Sequence, residues 1–191
     1  MSQLETSHCV VLPPMIFSRA SLNLAVGLVD RSGGGKSGCI GLSAELLGLA
    51  APTAMKIGPG SGEGLIQAFL RWDTTLKRNV PVDVPQALLV ADEISQVGAT
   101  QDRNGSTSGG ALRSMLSGAP VSTTNADPTR NRGLDAHTYR LAVVAGIQPE
   151  LADVLLSDTA AGTPQRWLWL PAADPGMPDV EPEWPGCLDR V

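Results

Sequence analysis

The stretch Asp30-Arg31-Ser32-Gly33-Gly34-Gly35-Lys36-Ser37 holds the residue types that phosphate chemistry requires. Glycines let backbone N–H groups turn inward toward phosphate oxygens. A lysine at position 36 reaches the β- and γ-phosphates, and the Ser37 hydroxyl suits Mg²⁺. Ser32, Gly33, Gly34, Gly35, Lys36, Ser37 and Gly38 form the expected cradle. One residue departs from the pattern G-x-x-x-x-G-K-[ST]: Asp30 stands where the first glycine belongs. Asp tolerates unusual turns better than most residues, so the first turn can be built on it. The competing reading is a glycine-rich linker that happens to carry a lysine.

Acids with matching chemistry lie downstream. Leu88-Leu89-Val90-Ala91-Asp92-Glu93 is an apolar run ending in two carboxylates. Asp92 suits a water-mediated contact to Mg²⁺. Activating a water needs a carboxylate base, and two fit: Glu93, next to Asp92, and Glu63, in Gly60-Ser61-Gly62-Glu63. Gln148, after another apolar run, could sense a γ-phosphate, or could simply open a helix. Arg166 could be an arginine finger completing a neighbour's site, or a strand-end salt bridge. Arg130 and Arg132, near Arg140, could contact nucleic-acid phosphate, or could be a solvated loop.

These residues need elements that hold them together. Leu22–Val29 is a nearly continuous apolar run, as in a strand buried on both faces of a parallel sheet. After the loop, Cys39, Leu42, Leu46 and Leu49 fall at helical spacing. A short strand over 53–57 and a second helix through Leu65, Ile66, Phe69 and Leu70 follow. Residues 73–85, 98–110 and 124–137 read as loops, with a short helix over 111–116. Strands are expected at 87–91, 139–146 and 166–170, with a helix opening at Gln148-Pro149-Glu150. Trp167 and Trp169 share a face at period two and read as packing. Strands alternating with helices imply an α/β fold, a mainly parallel sheet with helices on both faces.

Totals narrow the class. The chain has 191 residues, 42% hydrophobic and 17% charged, with net charge −5. That composition is globular rather than disordered, and it excludes a surface-wide basic footprint, so any DNA contact must be local. Cys9, Cys39 and Cys187 show no metal-type spacing, and two histidines leave little for a His-based metal centre. No apolar run reaches membrane-spanning length. A cytoplasmic setting, with no membrane partner, is expected.

The stretches SLNLAVGLVDRSGGGKSG, KIGPGSGEGL, LLVADEIS, ALRSMLSG, TTNADPTRNR, YRLAVVAGIQPELADVLL and GTPQRWLWLPAADP together resemble the RecA-like P-loop ATPase domain of bacterial and phage primase–helicase proteins. The resemblance spans about residues 11–175. By composition, residues 1–20 read as a lead-in segment and 172–191 as a Pro-rich acidic tail, with 21–171 between them as the expected ATPase domain. The resemblance implies ATP and Mg²⁺ binding, and a homo-oligomeric ring or filament on single-stranded DNA. It implies Glu63 rather than Glu93 as the base, Gln148 as γ-phosphate sensor and Arg166 as a finger in trans. The expected function is ATP hydrolysis by the motor domain of a DNA helicase, or a fragment of it, in DNA replication. The alternative is an ATP-binding regulatory or assembly module with little turnover.

Overall fold

The computed structural model describes residues 11–13, 19–46, 55–101 and 107–176, and the single positions 180, 183 and 186. Five parallel strands form the central sheet: β1 (Leu24–Val29), β2 (Met55–Ile57), β3 (Gln86–Ala91), β4 (Arg140–Ile147) and β5 (Trp167–Pro171). Their order is β5-β1-β4-β3-β2. The helices are α1 (Lys36–Leu46), α2 (Gly62–Gln67), α3 (Ile94–Gln101), α4 (Ser108–Leu116) and α5 (Asp153–Leu156).

The connection from β1 to β2 moves three places across the sheet, and every later one moves back. Right-handed crossovers therefore put α1 on one face and α2 to α5 on the other. Burial follows this division. The register lines up Trp167, Ala25, Val143 and Leu89 across β5, β1, β4 and β3. All four are buried, as is Leu141 on the same face of β4, in one core with Phe69, Ile94, Met115 and Leu155. Removing each such large side chain from water contributes about 1.5–3 kcal/mol. On the α1 face, Leu24, Leu168 and Leu170 stay 50%, 49% and 39% exposed. Leu42, expected on the inner side of α1, is also exposed.

Side chains tie the starts of the strands to the helices. Asn23 donates from Nδ2 to the Met115 carbonyl at 2.6 Å and accepts from the Leu141 amide at 3.0 Å. β1 begins at Leu24, two residues later than the apolar run suggests, just after the Asn23 side chain has tied the strand's start to α4 and β4. Tyr139 packs edge-on against Phe69, with ring centroids 5.6 Å apart. Its hydroxyl donates to the Ala119 carbonyl at 2.6 Å.

Parts of two segments read as loops, 73–85 and 124–137, belong to paired strands. Leu70–Asp73 pairs with Arg78–Pro81, and Val121–Thr123 pairs with Arg132–Leu134. Leu70, expected in the second helix, begins the first of these hairpins. Lys77 turns it at φ 49°, in the left-handed region. Asn79 Nδ2 joins the two hairpins by donating to the Asn131 carbonyl at 2.9 Å. In the lead-in, Val11–Leu12 pairs with Ala20–Ser21. The expected helix position Leu49 and most of the tail lie outside the described residues. No described helix is long and apolar enough to cross a membrane.

Candidate functional site

The glycine-rich loop leaves β1 after Val29 and enters α1 at Lys36. The Asp30 amide donates to the Ile147 carbonyl at 3.1 Å, which fixes the loop's first residue to the end of β4. Gly34 N donates to the Arg31 carbonyl at 3.1 Å, closing a tight turn. Gly33 and Gly35 have φ of 76° and 85°, where a side chain is strained. A Cβ at either would meet no atom within 4 Å, so both face open space. Asp30 supports this shape directly: its Oδ1 accepts from the Arg31 amide at 2.7 Å.

Lys36 is only 7% exposed. A buried ammonium must be hydrogen-bonded. It donates to the carbonyls of Asp30 at 2.8 Å and Arg31 at 2.7 Å, so its charge sits inside the curl of the loop.

Strand order brings the rest. The ends of β1, β4 and β3 lie side by side, because Val29 aligns with Ile147 and Ala145 with Ala91. Ligands of open parallel sheets bind outside these carboxyl ends. A cleft of about 260 Å³ opens there, lined by Ser32 to Gly38, Asp92, Glu93 and Gln148. Ser37, Asp92 and Glu93 are exposed to it. Gln148 Nε2 donates to Glu93 Oε1 at 3.3 Å, and Ser95 Oγ donates to Glu93 Oε2 at 3.2 Å.

Residues from three separate stretches of sequence thus meet in one crevice. The whole expected phosphate cradle, Asp92, Glu93 and Gln148 are together. The sequence reading missed two contributors. Ser95 holds Glu93, and only its place two residues on in the run DEIS hints at that. Gly146 lets β4 approach the Asp92 backbone, since a Cβ there would stand 2.3 Å from the Asp92 carbonyl oxygen. A glycine inside an apolar strand was the available signal.

Other expected residues lie elsewhere. Glu63 is in the first turn of α2, where Oε1 accepts weakly from Thr107 Oγ1 at 3.4 Å, and it does not line the cleft. Arg166 precedes β5, level with the start of β1, roughly 17 Å of strand from the loop. Its guanidinium donates to Ser117 Oγ at 3.1 Å and to the Gly162 carbonyl at 2.6 Å. Arg132 donates from Nε to Gln67 Oε1 at 2.7 Å, bracing the second hairpin against α2. Arg130 is exposed on the turn of that hairpin, 3.6 Å from Asp127.

The loop amides and Lys36 could serve anion recognition at the start of a helix. Ser37 and Asp92 could offer oxygen ligands to a hard cation. Among the described residues no cluster of three His, Cys, Asp or Glu could hold a metal alone. A Mg²⁺ ion held by few protein oxygens plus phosphates fits this donor set. No protein-family model and no curated protein matches the chain.

Proposed function

We propose that the chain is a Mg²⁺-dependent P-loop ATPase with a RecA-like core. One observation carries this reading: a strand–glycine loop–helix unit with a buried lysine opens on the same cleft as an Asp-Glu pair and a glutamine from two neighbouring strands. The parallel order β5-β1-β4-β3-β2 is compatible with such a core.

In this mechanism the loop amides and Lys36 bind and orient the β- and γ-phosphates. Lys36 exchanges its two carbonyl partners for phosphate oxygens, a stronger charge-assisted pairing. Ser37 and Asp92 would hold a Mg²⁺ ion, which when bound would supply charge neutralisation at the phosphates. Glu93 accepts the proton of the attacking water. Geometry favours it over Glu63, which the resemblance implied, because Glu93 alone of the two lines the cleft.

The wider reading is the motor of a DNA helicase, working as a ring or filament on single-stranded DNA. Exposed Arg130 is available to a phosphate backbone. Arg166, far from its own loop, could act only on a neighbour's nucleotide. The second reading is an ATP-binding module with little turnover. It is favoured by the Glu93 carboxylate having both oxygens engaged by Gln148 and Ser95.

Phosphate release from ATP, with and without Mg²⁺ and single-stranded DNA, tests the proposal. Mg²⁺-dependent turnover accelerated by DNA is expected. Tight binding without turnover selects the second reading, and neither binding nor turnover defeats both.

A further inference from the structure

A second cavity, of about 460 Å³, shares no lining residue with the cleft at the glycine-rich loop. It is a groove with two long walls. Along one runs α4, from Thr107 to Ser114, and along the other the strand Val121–Thr123. The walls match in length. Three strand residues span roughly 10 Å, and the helix from Thr107 to Ser114 rises roughly 10 Å. Gly110 and Ala111 keep the helix wall low, so the space between the walls stays open.

The strand wall is an open edge. Val121–Thr123 pairs on one side with Arg132–Leu134, in a sheet of two strands. None of Arg132–Leu134 lines the groove, so the groove borders the side that has no partner strand. Among the described residues, no backbone hydrogen bond outside that ladder engages Val121, Ser122 or Thr123. Side-chain groups are left over here too. Thr123 Oγ1 is buried and has no partner, and a buried hydroxyl left unpaired is costly. Arg113 uses Nη1 for Asp158 and Thr163. Its Nη2 stands beside Gly110, 4.0 Å from where a Cβ would be. Asp158 neutralises the guanidinium, and Arg113 is the one charged residue among those lining the groove. A polyanion therefore finds no spare counter-charge. A peptide main chain, neutral and alternating donor with acceptor, finds partners along the whole wall.

We infer that this groove binds an extended peptide segment of another protein, which adds as a third strand to Val121–Thr123 and lies against α4. Main-chain hydrogen bonds to the open edge supply affinity, and side-chain pockets supply specificity. A peptide carbonyl accepts from Arg113 Nη2, and a polar group of the peptide meets Thr123 Oγ1. Ile66 and Val121 favour an apolar side chain where the peptide points inward. The walls hold about three residues. The site uses nothing of the glycine-rich loop, so it stands or falls apart from ATP hydrolysis.

Random linear heptapeptides displayed on phage and selected on the full chain supply the probe. Recovered peptides, made synthetically, should bind one to one and slow amide exchange at Val121–Thr123. Gly110 is an exposed helix position, so Gly110→Leu fills the groove while raising helix propensity. It should weaken the peptides about tenfold or more and leave any Mg·ATP binding unchanged. Thr123→Val removes only the unpartnered hydroxyl; it should weaken them about threefold without lowering thermal stability. Methylating the peptide nitrogens one at a time should cost about tenfold at alternate positions, those that face the strand. Recovery of no binder overturns the proposal. So do peptides indifferent to Gly110→Leu, which bind elsewhere, and peptides indifferent to methylation, which are held by side chains alone. A single-stranded oligonucleotide displaced by Gly110→Leu, with no peptide bound, overturns it as well and assigns the groove to nucleic acid.

Discussion

The carboxylate of Asp30 lies against the backbone of Gly34. A Cβ built at Gly34 would stand 2.2 Å from Asp30 Cγ. The residue that breaks the glycine pattern is thus packed beneath the loop rather than aimed into the cleft, and it holds the Arg31 amide there. The two positions should behave as a pair. Gly34→Ala forces the carboxylate out and weakens Mg·ATP binding about tenfold; adding Asp30→Gly recovers most of that loss. Equilibrium titration of the two single variants and the double variant checks this. Independent, additive effects would contradict it.

Gly146 is a second close approach, with backbone rather than a side chain as its neighbour. Gly146→Ala cannot be relieved by a rotamer change, because the Asp92 carbonyl oxygen stands 2.3 Å from the new Cβ. The strands must separate, at a cost of about 1–3 kcal/mol. Urea unfolding should show that loss, with hydrolysis falling as Asp92 and Glu93 shift.

The two carboxylate candidates separate by substitution. Glu93→Gln should lower hydrolysis about a hundredfold or more while ATP still binds. Glu63→Gln should leave turnover within about threefold, since Glu63 lies outside the cleft and bonds to Thr107. Steady-state assays of both variants decide between them, and the reverse ranking returns the role to Glu63.

Tyr139 gives a pH signature of the core. Burial pushes its phenol up to about 12, from its ordinary 10.0. The unfolded chain ionises near pH 10 and the folded chain near 12. This contribution is therefore complete below pH 10 and is lost as pH rises through 12. It amounts to about 3 kcal/mol at most. Tyr139 is the only tyrosine, so tyrosinate absorbance reports it alone. Tyr139→Phe should flatten the alkaline loss. It should also lower stability at neutral pH by about 1 kcal/mol, through the lost bond to Ala119.

Much of the sheet was legible because buried parallel strands are apolar along their whole length, as Ala87–Ala91 and Leu141–Gly146 are. The loop was legible because glycines beside a lysine have few other uses. The hairpins at Leu70–Pro81 and Val121–Leu134 were not. Their strands are half-exposed and short, so neither a continuous apolar run nor clean alternation marks them. Among site residues, Asp92 and Gln148 were legible as polar groups ending apolar strands. Ser95 was hidden, because its role is a hydrogen bond whose partner turns back toward it only once α3 has formed. The distance of Glu63 from the cleft could not be read either. It depends on α2 being capped by Ser61, and on Thr107 arriving from α4.

Lys36 tests the central claim most directly. Its ammonium occupies the curl of the loop, the place the proposed function assigns to the β- and γ-phosphates. Equilibrium binding of Mg·ATP should be compared for the unsubstituted chain and Lys36→Ala, with folding of both checked by circular dichroism. A single saturable site is expected, weakened about a hundredfold or more by the substitution. Equal affinity in the two proteins, or no binding by the unsubstituted one, would contradict the account.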